Sequence, residues 1–169
     1  MYLTKLYNVV GDDYSIHQRV MQSFPGKRPL FQTKGGCVTV LSETKPITQE
    51  GKNVKEIQIE PKKGDTHLFT LRLNPSKRLA STRKQIGLKE SEILPFVKEK
   101  AISNGFEIED MKIEDEGFRI SRKRDQDITI RSVFVMGILR VKDPLSFISG
   151  IQNGIGKHKG LGFGMLNIF

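Results

Sequence analysis

The chain has 169 residues, enough for one medium domain or two small ones, and its 37% hydrophobic content with ten phenylalanines excludes a disordered chain. A formal charge of +9 and a pI near 9.7 point to a polyanionic partner. A membrane is the weaker candidate, because no apolar run is long enough to span one and no basic amphipathic helix stands out. The opening MYLTKLYNVVGDD is not a signal peptide, since its short apolar stretch is interrupted by Lys5. The single cysteine, Cys37, excludes an internal disulfide and a cysteine-based zinc site. His17, His67 and His158 lack metal-ligand spacing with carboxylates, so the chain reads as cytoplasmic, with no metal and no cofactor.

Residues 2–10 are rich in β-branched and aromatic types and predict a strand. Asp12 or Asp13 can cap the helix that follows, which runs to about Phe24 and is stopped by Pro25-Gly26. Ile16, Val20 and Phe24 form its core stripe, and Tyr14, His17 and Met21 lie along a neighbouring stripe. Residues 30–33 and 37–41 predict a hairpin joined by a Lys-Gly-Gly turn, and residues 44–53 a loop or a single turn. A strand is expected over 54–60, with Ile57 and Ile59 inward.

The second half opens on a strand from His67. Alternation puts His67, Phe69, Leu71 and Leu73 on one face and Leu68, Thr70, Arg72 and Asn74 on the other. Pro75 ends it, and a loop over 76–89 follows. A helix is expected over 91–103, with Pro95 tolerable only in its first turn and Asn104-Gly105 as a left-handed stop. Residues 106–113 and 118–120 predict a second hairpin around an acidic turn, and 128–141 gives the longest strand signal in the chain. Asp143-Pro144 opens a helix to about Gln152.

The last seventeen residues, NGIGKHKGLGFGMLNIF, are the most informative. Glycines 154, 156, 160, 162 and 164 interleave with Lys157, His158 and Lys159, and the stretch closes as an apolar strand. Glycine lets a backbone approach another surface closely and turn successive N–H groups toward an anion, so the loop suits a phosphate backbone. It is not a Walker loop, and it is not a dinucleotide fingerprint because it runs from a helix into a strand. Charge is segregated elsewhere too. Six basic residues and no acidic one lie between Arg72 and Lys89, and five basic residues lie from Arg119 to Arg131. Six acidic residues crowd 107–116, so a basic face with an acidic back is expected.

Written out, each half approaches β-α-β-β-(α)-β. The fold class is therefore α+β, with two tandem ferredoxin-like domains over 1–62 and 66–169, the first with a reduced second helix. Such sheets recur in RNA-binding modules.

Three motifs carry a resemblance. The opening MYLTK with Tyr14-Ser15-Ile16-His17-Gln18 and Phe24-Pro25 is similar to the start of the CasE-type (type I-E) CRISPR repeat-processing endoribonucleases. Phe69-Thr70-Leu71-Arg72-Leu73-Asn74-Pro75 with Lys77 resembles their F-x-L-R-x-N-P-x-K strand and turn. Gly154-Ile155-Gly156, Lys159, Gly162 and Gly164 follow their terminal G-I-G-x-x-K-x-x-G-x-G loop. The motifs keep the family's order and span nearly the whole chain.

The resemblance implies binding of the CRISPR repeat hairpin in precursor RNA and one metal-independent cut at its base. The 2′-hydroxyl attacks the adjacent phosphate, leaving 2′,3′-cyclic phosphate and 5′-hydroxyl ends. It also implies other subunits of a type I effector complex as possible partners. His17 matches the family's catalytic histidine. Tyr14, one turn earlier, can hydrogen-bond the scissile phosphate or the histidine, and Lys159 can neutralise charge developing on the phosphorane. Whether His17 acts as acid or base is open at this level. The RNA contacts expected are Arg72, Asn74, Lys77, Arg78, Arg83, Lys84, Gly154, Gly156, Lys157, His158 and Gly162. The main rival is a non-catalytic RNA-binding subunit of the same effector class. A small-molecule enzyme would want an apolar pocket rather than two runs of cations, and a DNA-binding regulator would want a helix-turn-helix.

Overall fold

The structure, a computed structural model, describes residues 1–7, 9, 11–47, 53–82, 84–123 and 126–169, the side chains of 122, 123 and 126 excepted. The first half runs β1 (Tyr2–Tyr7), α1 (Asp13–Ser23), β2 (Leu30–Lys34), β3 (Cys37–Ser42) and β4 (Asn53–Glu56). The second begins with β5 (Thr66–Leu73), a small hairpin of β6 (Ser76–Arg78) and β7 (Gln85–Gly87), and α2 (Glu90–Ser103). It continues through β8 (Phe106–Lys123), β9 (Gln126–Val141) and α3 (Pro144–Asn153) to a 3₁₀ turn at Lys159–Leu161 and β10 (Leu166–Ile168).

Two four-stranded antiparallel sheets result, ordered β2-β3-β1-β4 and β10-β5-β9-β8. Counted within its own half, each sheet has the same strand order, which is the ferredoxin-like one. The fold is therefore tandem ferredoxin-like, as the sequence pattern predicts. The first sheet and α1 enclose Leu6, Ile16, Val20, Phe24, Phe31, Val38 and Val40. A larger core joins the halves: Leu30 and Leu41 of the first sheet pack in one cluster with Leu71, Leu73, Val135, Ile155 and Met165.

Several boundaries differ from expectation, each for a reason of pairing. The first strand ends at Tyr7, which pairs with Cys37 just where Gly35 and Gly36, both at positive φ, turn the partner back. Residues 8 and 10 of the expected strand lie outside the described residues. Strand β4 stops at Glu56, opposite Tyr2, because β1 offers little beyond it. Ile57 still donates to the Met1 carbonyl at 2.8 Å, and Ile57 and Ile59 pack partly buried on the core. In α2 the helix starts at Glu90, so Pro95 falls beyond the first turn rather than within it. The basic segment 76–89 is not loop throughout, since β6 and β7 pair within it.

The largest departure is β8. Instead of a hairpin turning at the acidic run, it is one strand that pairs along β9 from Phe106↔Val141 to Lys123↔Gln126. Register shifts at Ile108/Asp110 and Asp115/Gly117 let a sequence without clean alternation stay paired. The acidic run is not a bare back. Glu107 pairs with Lys142 at 2.7 Å, Glu109 with Arg140 at 2.5 Å, Asp115 with Arg131, and Glu116 with Arg72 at 2.8 Å. Cross-strand cations thus neutralise much of the acidic strand.

Candidate nucleic-acid interface and active site

Helix α1 begins where Asp12 accepts a hydrogen bond from the Ser15 amide at 2.9 Å, which makes Asp12 the cap. Asp13 has another task. It is buried and ion-paired at 2.5 Å with Arg119 of β8, tying α1 to the second half. Burial pushes the Asp13 carboxyl above its usual range, against the pull of the Arg119 guanidinium. With Ile16, Val20 and Phe24 facing the core, the half-buried Tyr14 and His17 are aimed sideways, their rings 6.2 Å apart.

What they face is the glycine-rich loop. Its ends meet: the Ile155 amide donates to the Gly164 carbonyl at 2.7 Å, and the Gly164 amide donates to the Arg72 carbonyl at 2.8 Å. Gly164 sits at φ +79, and a Cβ there would collide with the Ile155 carbonyl, so only glycine lets the loop close this way. Ile155, Phe163 and Met165 are buried beneath it. The closed loop holds Lys159 at the start of the 3₁₀ turn, which packs against α1.

Tyr14 and His17 from α1 then share one cavity of about 380 Å³ with Gly156, His158 and Lys159 from the loop. Arg28 and Ile128 also line it. Lys159 is held below its usual pKa by partial burial and by the neighbouring Arg28. His158, in left-handed conformation at φ 57, stacks edge-on to Phe163 at 6.4 Å, and Gln85 of β7 lies 3.4 Å from its Nε2.

Burial and the Lys157 charge lower the His158 pKa from its ordinary 6.5. A folded pKa below the unfolded one gives a contribution that is full above about pH 6.5 and fades as pH falls. His158→Asn keeps a residue that tolerates the left-handed conformation and should flatten the fall in Tm between neutral and acidic pH, as thermal melts would read.

The other expected contacts divide. Lys157, Arg78 and Lys84 are exposed, and Lys77 is exposed with its ammonium 2.5 Å from Glu92. Arg83 lies outside the described residues. Four others are inside the protein, contrary to expectation. Arg72, 4% exposed, grips Glu116 through two nitrogens, donates to the Thr33 carbonyl at 2.7 Å and lies over the Phe134 ring. Asn74 donates to the Arg131 carbonyl at 2.7 Å and accepts from Ser76 and Gln85. Gly154 and Gly162 are buried against Leu30 and Phe31, where a side chain would meet those residues. These four brace the loops rather than face solvent.

Arg28 is the site residue that the sequence reading missed. Its guanidinium occupies the space that a side chain at Gly160 would need. The only trace in the sequence is that Gly160 must be small, which does not name its neighbour.

The model of the CRISPR-associated protein family matches residues 4–169. The chain belongs to that family. It is 29% identical to the CRISPR-associated endoribonuclease Cse3 of Thermus thermophilus over 63% of this chain and 57% of that protein. It is 25% identical to the CRISPR system Cascade subunit CasE of Escherichia coli over 99% of this chain and 98% of that one. A solved structure of CRISPR endoribonuclease Cse3 bound to a 19-nucleotide RNA superposes with a TM-score of 0.89 at 25% identity, covering 100% of both chains. Among the described residues of the present protein, no group of three His, Cys, Asp or Glu side chains gathers to hold a metal ion, and no helix is long and apolar enough to cross a membrane.

Proposed function

We propose that this protein is a CRISPR endoribonuclease that binds the repeat hairpin of precursor RNA and cuts it once, by attack of a 2′-hydroxyl on the adjacent phosphate without a metal ion. Membership of the family and the names of its relatives support the enzyme class and the RNA. One observation carries the chemistry: Tyr14 and His17, early in the chain, and Lys159, near its end, line the same cavity.

The reaction needs a proton removed from the 2′-hydroxyl and a proton given to the departing 5′-oxygen. His17, an imidazole able to exchange protons near neutrality, serves one of these transfers. Tyr14 orients the phosphate or the imidazole through its hydroxyl. As the phosphorane gains charge, Lys159 and Arg28 face it as cations from one wall of the cavity. His158 and Lys157 beside them, with the exposed cations of the β6–β7 hairpin, hold the flanking phosphates. The product ends are a 2′,3′-cyclic phosphate and a 5′-hydroxyl, and the mature RNA then joins the other subunits of a type I effector complex.

Incubation with a repeat hairpin in EDTA tests this, with a second substrate carrying 2′-deoxyribose at the cut site. A single cut in the first and none in the second is expected. A cut that persists in the deoxy substrate, or that EDTA abolishes, would refute the mechanism. Tight binding with no cut in either would favour a non-catalytic RNA-binding subunit.

A further inference from the structure

A second groove, of about 790 Å³, lies between the two sheets and shares no lining residue with the His17 cavity. The register of the first sheet explains its character. Gln32 lies beside Thr39, Thr39 beside Lys5, and Lys5 beside Asn53, so one row across four strands shows a polar face to the other sheet. The next row is Lys34, Cys37 and Tyr7. Thr70 and Asn167, paired across β5 and β10, form the opposite wall, while Leu3, Leu41, Met165 and Leu166 line the groove's apolar part.

Three features distinguish this groove from ordinary space between domains. Among the described residues that line it none is acidic, although Lys5, Lys34 and Lys55 all do, each exposed. Tyr7 is 48% exposed, with its hydroxyl 3.3 Å from the Asn53 amide, and Lys34 is stacked 3.8 Å over the Phe134 ring. Gln32, only 6% exposed, accepts from Thr70 through Oε1 at 3.2 Å, but its buried Nε2 has no hydrogen-bond partner. A buried amide donor left unpaired is costly, and it marks a place where a ligand acceptor would fit.

We propose that this groove binds an unpaired stretch of the RNA that flanks the repeat hairpin. The inference rests on the reading that the chain binds repeat RNA. Lys5 and Lys55, in a groove whose described lining holds no acidic residue, suit a phosphate backbone, the open Tyr7 ring offers a face for a base, and the Gln32, Thr39, Asn53 and Asn167 side chains suit base edges. The hairpin would lie at the His17 cavity while its single-stranded extension follows the inner sheet surfaces.

The test compares a bare repeat hairpin, the same hairpin with an unpaired extension on the 5′ or the 3′ side, and an unstructured oligonucleotide, by fluorescence anisotropy at one salt concentration. In the wild type, at least one extension should tighten binding by about tenfold. The double variant K5E/K55E, changed at two exposed positions, should lose that gain while binding and cutting the bare hairpin as before. Circular dichroism checks that it folds. A 4-thiouridine placed in the extension should crosslink to β1 or β4. No gain from either extension, or a gain that K5E/K55E retains, would overturn the proposal and leave the groove to a partner subunit. Failure of the bare hairpin to bind or be cut would instead sink the broader functional reading. The oligonucleotide arm, if still bound and still sensitive to K5E/K55E, would leave the groove assignment standing.

Discussion

His17→Ala should slow repeat cleavage by about 10²–10⁴-fold under single-turnover conditions, while hairpin affinity changes no more than a few-fold. The asymmetry follows from where the residue sits. His17 is half-buried on the side of α1, whose core contacts are made by Ile16, Val20 and Phe24, so losing the ring leaves the helix anchored. Binding should be spread over Lys157, Lys159, Arg28 and the exposed cations of the β6–β7 hairpin, none of which the substitution touches. Proton transfer cannot be spread in that way, because it needs one group held at the reacting oxygen. Rapid-quench cleavage and equilibrium binding on the same preparation separate the two effects. Cleavage within a factor of ten of the wild type would remove His17 from the chemistry.

Glu116→Ala should destabilise the protein by about 3 kcal/mol, near the lower end for breaking a buried ion pair because the Glu116 side chain is 22% open to water. The loss comes from the partner. Arg72, 5% exposed at its side chain, would be left with a buried charge and only the Thr33 oxygens as acceptors. Ser132 also donates to Glu116, so a second buried group loses its acceptor. The paired guanidinium and the Ser132 hydroxyl hold the Glu116 carboxyl below its usual range even though burial pushes the other way. Urea denaturation gives the number. Arg72→Met should cost less, because it removes the stranded charge, and the double variant should cost less than the sum. If Arg72→Met instead left stability unchanged and weakened RNA binding, Arg72 would be a phosphate contact after all.

The Arg72–Glu116 pair is not legible in the sequence. Arg72 lies in a run of cations with no acidic residue nearby in sequence, and such a run reads as a surface for phosphate. Its partner is 44 residues away, on a strand whose acidic run read as a turn. Both differences trace to β8, whose alternation is interrupted by two register shifts, so its sequence does not show how far it pairs with β9. By contrast, the faces of α1 were legible, because 3.6-residue spacing fixes which side chains lie together, although the choice of cap between Asp12 and Asp13 was not. The glycine loop was legible as an ordered loop running into a strand, because its glycines give way to an apolar terminal stretch, but the closure of its ends through Ile155 and Gly164 was not. Which of those glycines turn the chain, which admit a neighbour such as Arg28, and which simply pack is a property of contacts, and the spacing alone does not contain it.

The ion pair between Asp13 and Arg119 has a consequence for how activity can be controlled. Tyr14 and His17 belong to one half of the chain and Lys159 to the other, and this ion pair ties α1 to β8 across the halves. The cavity is therefore a coincidence detector, complete only while both halves are in register. Two fragments divided between β4 and β5 should each be silent and become active only on reassociation. Cleavage would then serve as a sensitive gauge of docking, and any ligand that wedges the sheets apart would act as an inhibitor without ever touching the histidine.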